Sequence, residues 1–63
     1  MFLELTRIYG ELVLINSDKI IFFERAEHVT SGRLERCTEV YLDDKRIIKV
    51  IEDFDFIMHC LDN

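Results

Sequence analysis

Two histidines and two cysteines are the side chains of this sequence best suited to metal or thiol chemistry: His28, Cys37, His59 and Cys60. A structural zinc site needs ligand pairs at short, regular spacings, and these four residues are not spaced in that way. His59 and Cys60 are neighbours in a predicted helix, where adjacent side chains point about 100° apart. We therefore predict no metal site and no cofactor.

The acidic and hydroxyl side chains give no better case for catalysis. Glu52, Asp53 and Asp55 lie where a helix is predicted to begin, and acidic side chains at that end favour the helix dipole. Ser17 and Ser31 lie in predicted loops without a G-x-S-x-G elbow. The sequence thus predicts no catalytic residue and a protein that is not an enzyme.

Composition narrows the class of protein further. The 63 residues are 49% hydrophobic and carry a formal net charge of -5, which indicates a single small domain over residues 1–63. Phosphate binding depends on clustered Lys and Arg, and none are clustered here, so we expect no nucleic-acid partner. No segment approaches the roughly 20 apolar residues that insertion into a membrane requires. The start lacks a basic signal region and two cysteines cannot form a secreted scaffold, which favours a cytoplasmic protein.

The apolar pattern predicts strands first and then one helix. The strands are expected at residues 2–8, 11–15, 19–24, 38–42 and 46–51. The apolar stripe of the helix consists of Phe54, Ile57, Met58 and Leu61. Residues 25–36 show little periodicity and are interpreted as a long connection or a distorted hairpin tip. The expected fold is α+β, mainly β: a five-stranded antiparallel meander with one C-terminal helix, with a curled, barrel-like sheet as the alternative.

Several predicted strands contain adjacent apolar residues, as in residues 12–15 and 20–23. Successive side chains of a strand point to opposite faces, so these runs place apolar groups on both faces of the sheet. One short helix covers one face, and a second copy of the chain is the expected cover for the other, which predicts a homo-oligomer. The interface candidates are Phe22, Phe23, Tyr41, Leu12 and Leu14.

A set of short motifs extends along most of the chain. It begins with LTRIYG at residues 5–10, continues with LIN at residues 14–16, and ends with Val50 and Glu52 before the helix. This pattern resembles the FlbD family of small bacterial proteins, which are usually encoded among flagellar genes. The positions that match the family motif are Thr6, Arg7, Gly10 and Asn16. The resemblance implies a non-catalytic accessory role in flagellar function, and the apolar faces predict self-association and docking to a protein partner.

A second resemblance points to another class of function. Residues 5–7 and 10–11 are similar to the start of the carbon-storage regulator (CsrA) family, small dimeric β-proteins that bind messenger RNA. The chain has no proline, so it cannot contain that family's Gly-x-x-Ala-Pro element, and its acidic balance opposes RNA binding. A small RNA-binding post-transcriptional regulator is the alternative function.

Overall fold

A computed structural model describes residues 1–62, which form five strands in two antiparallel sheets and one C-terminal helix. The mainly β fold with five antiparallel strands and a C-terminal helix is thereby confirmed, but the strands form two sheets and not one continuous meander, because β2 does not pair with β3. The first sheet pairs β1 (Phe2–Thr6) with β2 (Leu12–Asn16). Gly10 lies in the connection with φ of 100°, a conformation that a residue with a Cβ rarely adopts. A single 3-10 turn, Ser17–Lys19, leads from this sheet to the next.

The second sheet contains β3 (Ile20–Thr30), β4 (Arg33–Leu42) and β5 (Ile47–Val50), in that spatial order. Residues 25–36 are a hairpin tip, as one of the two interpretations has it, and not a long connection. The tip is regular and not distorted, because all but two of these residues extend the paired strands β3 and β4. The turn itself is Ser31 and Gly32, with φ of 52° and 74°, and two positive φ angles suit the twist of a tight hairpin. The strands of this tip project beyond the core, so neither of their faces is covered by it. Their sequence therefore lacks the alternation of apolar and polar residues that identifies a half-buried strand.

The C-terminal helix α1 (Phe54–Leu61) begins after Asp53, whose side chain accepts a hydrogen bond from the Phe56 amide at 2.8 Å. This carboxylate satisfies one of the free N–H groups at the helix start. Ile57 is fully buried, as its place in the apolar stripe predicts. Met58 instead faces solvent, so the stripe is narrower than the sequence pattern indicates.

The core forms where the helix and the inner faces of both sheets meet. Its buried members are Leu3, Leu5, Ile15, Val40, Leu42, Ile48, Val50 and Ile57. Every strand except β3 contributes at least one fully enclosed side chain, and β3 adds the partly buried Ile20 and Phe23. The two sheets therefore share one core.

The two sheets are joined along β1 and β5. Arg7 forms an isolated antiparallel bridge with Val50. On either side of it, the Ile8 amide donates to the Lys49 carbonyl at 3.2 Å and the Ile51 amide donates to the Thr6 carbonyl at 2.9 Å. The strand order is thus β2-β1-β5-β4-β3. Residues 1–62 form no closed barrel, and within them β2 and β3 are the two outer edges.

The hairpin turn gives a first prediction. We expect Gly32→Val to lower the free energy of unfolding by about 1–2 kcal/mol, because a β-branched residue is strained at positive φ. A Cβ at Gly32 would have no atom within 4 Å, so the loss comes from the backbone alone. Ser31→Gly is the matched control and should not destabilise the protein. Urea unfolding monitored by circular dichroism measures both variants, and equal stability of Gly32→Val and the parent would contradict this account.

Candidate interaction surface

An aromatic and aliphatic row crosses the face of the second sheet that lies opposite the core. Phe22 pairs with Tyr41, and Tyr41 pairs with Ile47, so the three side chains lie side by side on one face. The Phe22 and Tyr41 rings stack with centroids 4.1 Å apart. Phe22 is 48% exposed and Ile47 is 54% exposed. We call Phe22, Tyr41 and Ile47 the open-face row.

The structure separates the two neighbouring phenylalanines of β3. Phe22 lies on the open face, whereas Phe23 packs against the core and against the ring of Phe54, with centroids 4.8 Å apart. Of the sequence-based candidates in this strand, only Phe22 is therefore placed for an interface. A register shift between Ile20 and Phe22 leaves Ile21 exposed, a feature with no signal in the apolar pattern.

Two carboxylates border the open-face row. Glu24 and Glu39 lie directly opposite each other on β3 and β4, an arrangement that is repulsive unless a donor intervenes. The Tyr41 hydroxyl lies 3.1 Å from a carboxylate oxygen of each, and the Lys49 ammonium lies 3.8 Å from Glu39. Partial burial and these two acceptors raise the pKa of Tyr41 to about 12. The open face thus combines an apolar row with an acidic border.

A second apolar surface lies on the outer face of the first sheet. It consists of Phe2, Leu12 and Leu14, each at least 65% exposed. Leu14 pairs with Glu4 of β1, which is also exposed. The sequence-based candidates Leu12 and Leu14 therefore lie together, but on a different sheet from the open-face row.

Glu52 has a role that the sequence analysis missed. Its carboxylate accepts hydrogen bonds from the amide and the hydroxyl of Thr6, both at 2.9 Å, and its backbone carbonyl accepts one from the Thr38 hydroxyl at 2.8 Å. Thr38 is fully buried, so this hydroxyl needs that partner. The interpretation of Glu52 as a helix-dipole partner is wrong, because its side chain connects β1 to the segment between β5 and α1.

Three other positions singled out in the sequence also have local roles in the fold. Arg7 forms the bridge between the sheets, and its amide donates to the Glu11 carbonyl at 2.7 Å. Gly10 supplies the positive φ of the β1–β2 connection. The Asn16 side chain accepts a hydrogen bond from the Asp18 amide at 3.1 Å, which starts the 3-10 turn. These residues fix turns and strand joints.

A cleft of about 540 Å³ lies between the projecting hairpin and the start of α1. Arg25 lies on one side of it, 4.4 Å from the centre of the Phe54 ring and ion-paired with Asp55 at 3.2 Å. Cys37 also borders the cleft, and burial raises the pKa of its thiol. A thiol with a raised pKa is protonated at neutral pH, so Cys37 is not an activated nucleophile.

The four metal-capable residues are distributed over three elements. His28 lies in β3 and Cys37 in β4, whereas His59 and Cys60 are on α1. Within residues 1–62, no group of three or more His, Cys, Asp or Glu side chains is arranged to hold a metal ion.

Among the same residues, no helix has both the length and the apolar character needed to span a membrane.

Comparison with protein-family models, curated proteins and solved structures finds no match for this chain. Its function is therefore argued from its own geometry.

The connection made by Glu52 gives a second prediction. Glu52→Ala should lower the free energy of unfolding by about 2 kcal/mol, because it removes two charge-assisted hydrogen bonds and leaves the Thr6 amide unpaired. Glu4→Ala, which changes an exposed glutamate of β1, is the control and should cost less than about 0.5 kcal/mol. Chemical denaturation measures both, and equal losses would contradict the assigned role of Glu52.

The pKa of Tyr41 gives a third prediction. Since the folded-state pKa is raised from 10.0 to about 12, the neutral hydroxyl stabilises the fold fully below pH 10, and this contribution is lost as the pH rises through 12. Tyrosinate absorbance should therefore show a late titration step in the parent protein that is absent from Tyr41→Phe. A parent titration that is complete near pH 10 would show that Glu24 and Glu39 do not act on Tyr41 in this way.

Proposed function

We propose that the protein is a non-enzymatic interaction module of the bacterial cytoplasm, which self-associates and docks to a protein partner. The observation that carries this proposal is the open-face row, three large side chains in register on the face of the sheet that the helix does not cover. Exposed aromatic residues packed into a contiguous apolar patch are the groups that dominate binding at protein interfaces.

The charges around the row favour a particular chemistry in the docking partner. Glu24 and Glu39 border it, and the chain as a whole carries a net charge of -5. A surface that presents apolar side chains beside Lys or Arg complements this arrangement. RNA is disfavoured, because its phosphates would meet the two carboxylates.

Two features of the cleft support the non-enzymatic part of the proposal. Two of its five charged lining residues, Arg25 and Asp55, are paired with each other. The thiol of Cys37 is buried and its pKa is raised, so this thiol is not an activated nucleophile.

The resemblance to the FlbD family supports a flagellar setting for the docking partner. The positions that match the family motif, Thr6, Arg7, Gly10 and Asn16, hold the β1–β2 sheet and its joint to β5. Because those residues serve the scaffold, the specificity of docking resides in the open-face row and its acidic border.

A paired substitution in the open-face row tests the proposal and is the fourth prediction. The double variant Phe22→Ser with Ile47→Ser should lose partners that the immobilised parent retains from extracts of the native host, as measured by quantitative mass spectrometry. The control is Val29→Ser with Leu34→Ser, which removes a cross-strand pair of even more exposed apolar residues from the hairpin tip. Circular dichroism verifies that both double variants fold.

The same variants separate the flagellar setting from docking in general. In a host that lacks the gene, the control variant should restore swimming and the open-face variant should not. Loss of the same bound proteins from both variants, or from neither, would overturn the assignment of the open face. Selective loss of binding with normal swimming would leave docking in place and remove the flagellar role.

A further inference from the structure

The two outer edges of the sheet differ in how well they are protected against pairing with another strand. β3 carries Glu24, Arg25 and Glu27 and has a register shift near its start, and both features discourage edge pairing. β2 has the sequence LVLIN, with no charged residue, no proline and no register shift. β2 is therefore the edge of residues 1–62 that is open to another strand.

The hydrogen bonds at the ends of β2 show which of its backbone groups face outward. The Arg7 amide donates to the Glu11 carbonyl at 2.7 Å, and the Ser17 amide donates to the Met1 carbonyl at 2.8 Å. In an antiparallel ladder the bonding direction alternates from residue to residue. The backbone groups of Val13 and Ile15 therefore point toward β1. Those of the even-numbered residues point away from β1, toward the free edge; these residues are Leu12, Leu14 and Asn16.

We propose that two copies of the chain dimerise by antiparallel pairing of β2 with β2 about a two-fold axis at Leu14. In this register Leu14 lies opposite the partner subunit's Leu14, and Leu12 lies opposite the partner subunit's Asn16. All three residues with outward backbone groups then bond to the second copy. A shift of the axis by one residue in either direction leaves at least one of the three outside the paired segment.

Side-chain placement favours the same register. Val13 and Ile15 are on the core side of β2, Ile15 buried and Val13 partly buried against the core. The two-fold axis at Leu14 places Val13 opposite the partner subunit's Ile15, which continues the core from one copy to the next. On the outer face, the two Leu14 side chains, each 65% exposed alone, cover one another.

Charge favours a second copy as the occupant of this edge. No charged residue lies within β2, so self-pairing brings no like charges opposite each other inside the paired segment. Glu4, the nearest outer-face charge on β1, would be separated from the partner subunit's Glu4 by three strand spacings, about 14 Å. That distance exceeds the screening length of about 8 Å at physiological salt. A net charge of -5 is thus compatible with dimerisation at β2, whereas contact between two open faces would bring Glu24 and Glu39 of both copies together.

This inference rests on the self-association in the proposed function, and a charge-swap experiment tests it as the fifth prediction. Leu14→Lys and Leu14→Glu should each weaken dimerisation about tenfold or more in sedimentation equilibrium, because like charges then lie opposite one another. An equal mixture of the two variants should recover a dimer, seen by native mass spectrometry as the mixed species. Leu34→Lys and Leu34→Glu at the hairpin tip are the controls and should dimerise like the parent.

Disulfide trapping provides a second measurement that does not depend on how well the charged variants fold. Directly opposed residues in a hydrogen-bonded pair have Cα atoms about 5.5 Å apart, within the range of a disulfide. Leu14→Cys should therefore form a covalent dimer on oxidation, whereas Leu12→Cys should do so only when mixed with Asn16→Cys.

The outcomes separate the two proposals. A parent protein that is monomeric at high concentration overturns self-association and the β2 pairing together. A parent dimer that is unaffected by charge at Leu14 and is not trapped by Leu14→Cys overturns the β2 pairing alone. Recovery of the mixed dimer together with selective trapping at Leu14 establishes both the edge and its register.

Discussion

A single eight-residue helix has to cover a sheet whose strands carry apolar side chains on both faces. At about 1.5 Å per residue, α1 is roughly 12 Å long, whereas the 11 residues of β3 extend for about 36 Å. The helix is therefore too short to cover the whole of the face on which it packs around Ile57. Because it packs on that face alone, the opposite face has no cover. The exposed positions of Phe22 and Ile47 follow from this limit on coverage.

The way in which the two sheets are joined determines which edges stay open. Glu52 binds Thr6, and Thr38 holds the backbone of Glu52, so β1 is held beside β5 instead of being available to another strand at this end. Joining the sheets through β1 and β5 places β2 and β3 at the outside. Charged residues and a register shift protect β3 against pairing with another strand. The apolar residues of β2 contribute to the shared core, but they leave the outer edge of β2 unprotected. The strand that completes the core of the subunit is thus also the strand through which the proposed dimer would form.

Local signals in the sequence predicted much of the scaffold. Gly10 and the Phe54–Leu61 helix could be placed because a turn glycine and a helical apolar period depend on nearby residues. The extension of the hairpin through residues 25–36 could not, since its strands have no buried face to impose alternation. The bond from Glu52 to Thr6 spans 46 residues, and no local pattern reports a contact of that range. The candidate surface also depends on contacts between distant residues. The apolar runs indicated that both faces of the sheet carry apolar side chains. Only the strand register showed that Phe22 lies beside Tyr41, whereas Leu12 and Leu14 form a separate patch.

Residue-resolved amide hydrogen exchange on the unmodified protein, in dilute and in concentrated solution, tests most directly whether uncovered strand surface is buried against a second copy. The amides of Val13 and Ile15 bond to β1 within the subunit and should be protected in both solutions. The amides of Leu12, Leu14 and Asn16 should exchange quickly in the dilute sample and become protected in the concentrated one. Exchange at these three amides that is equally fast in both samples would contradict the account.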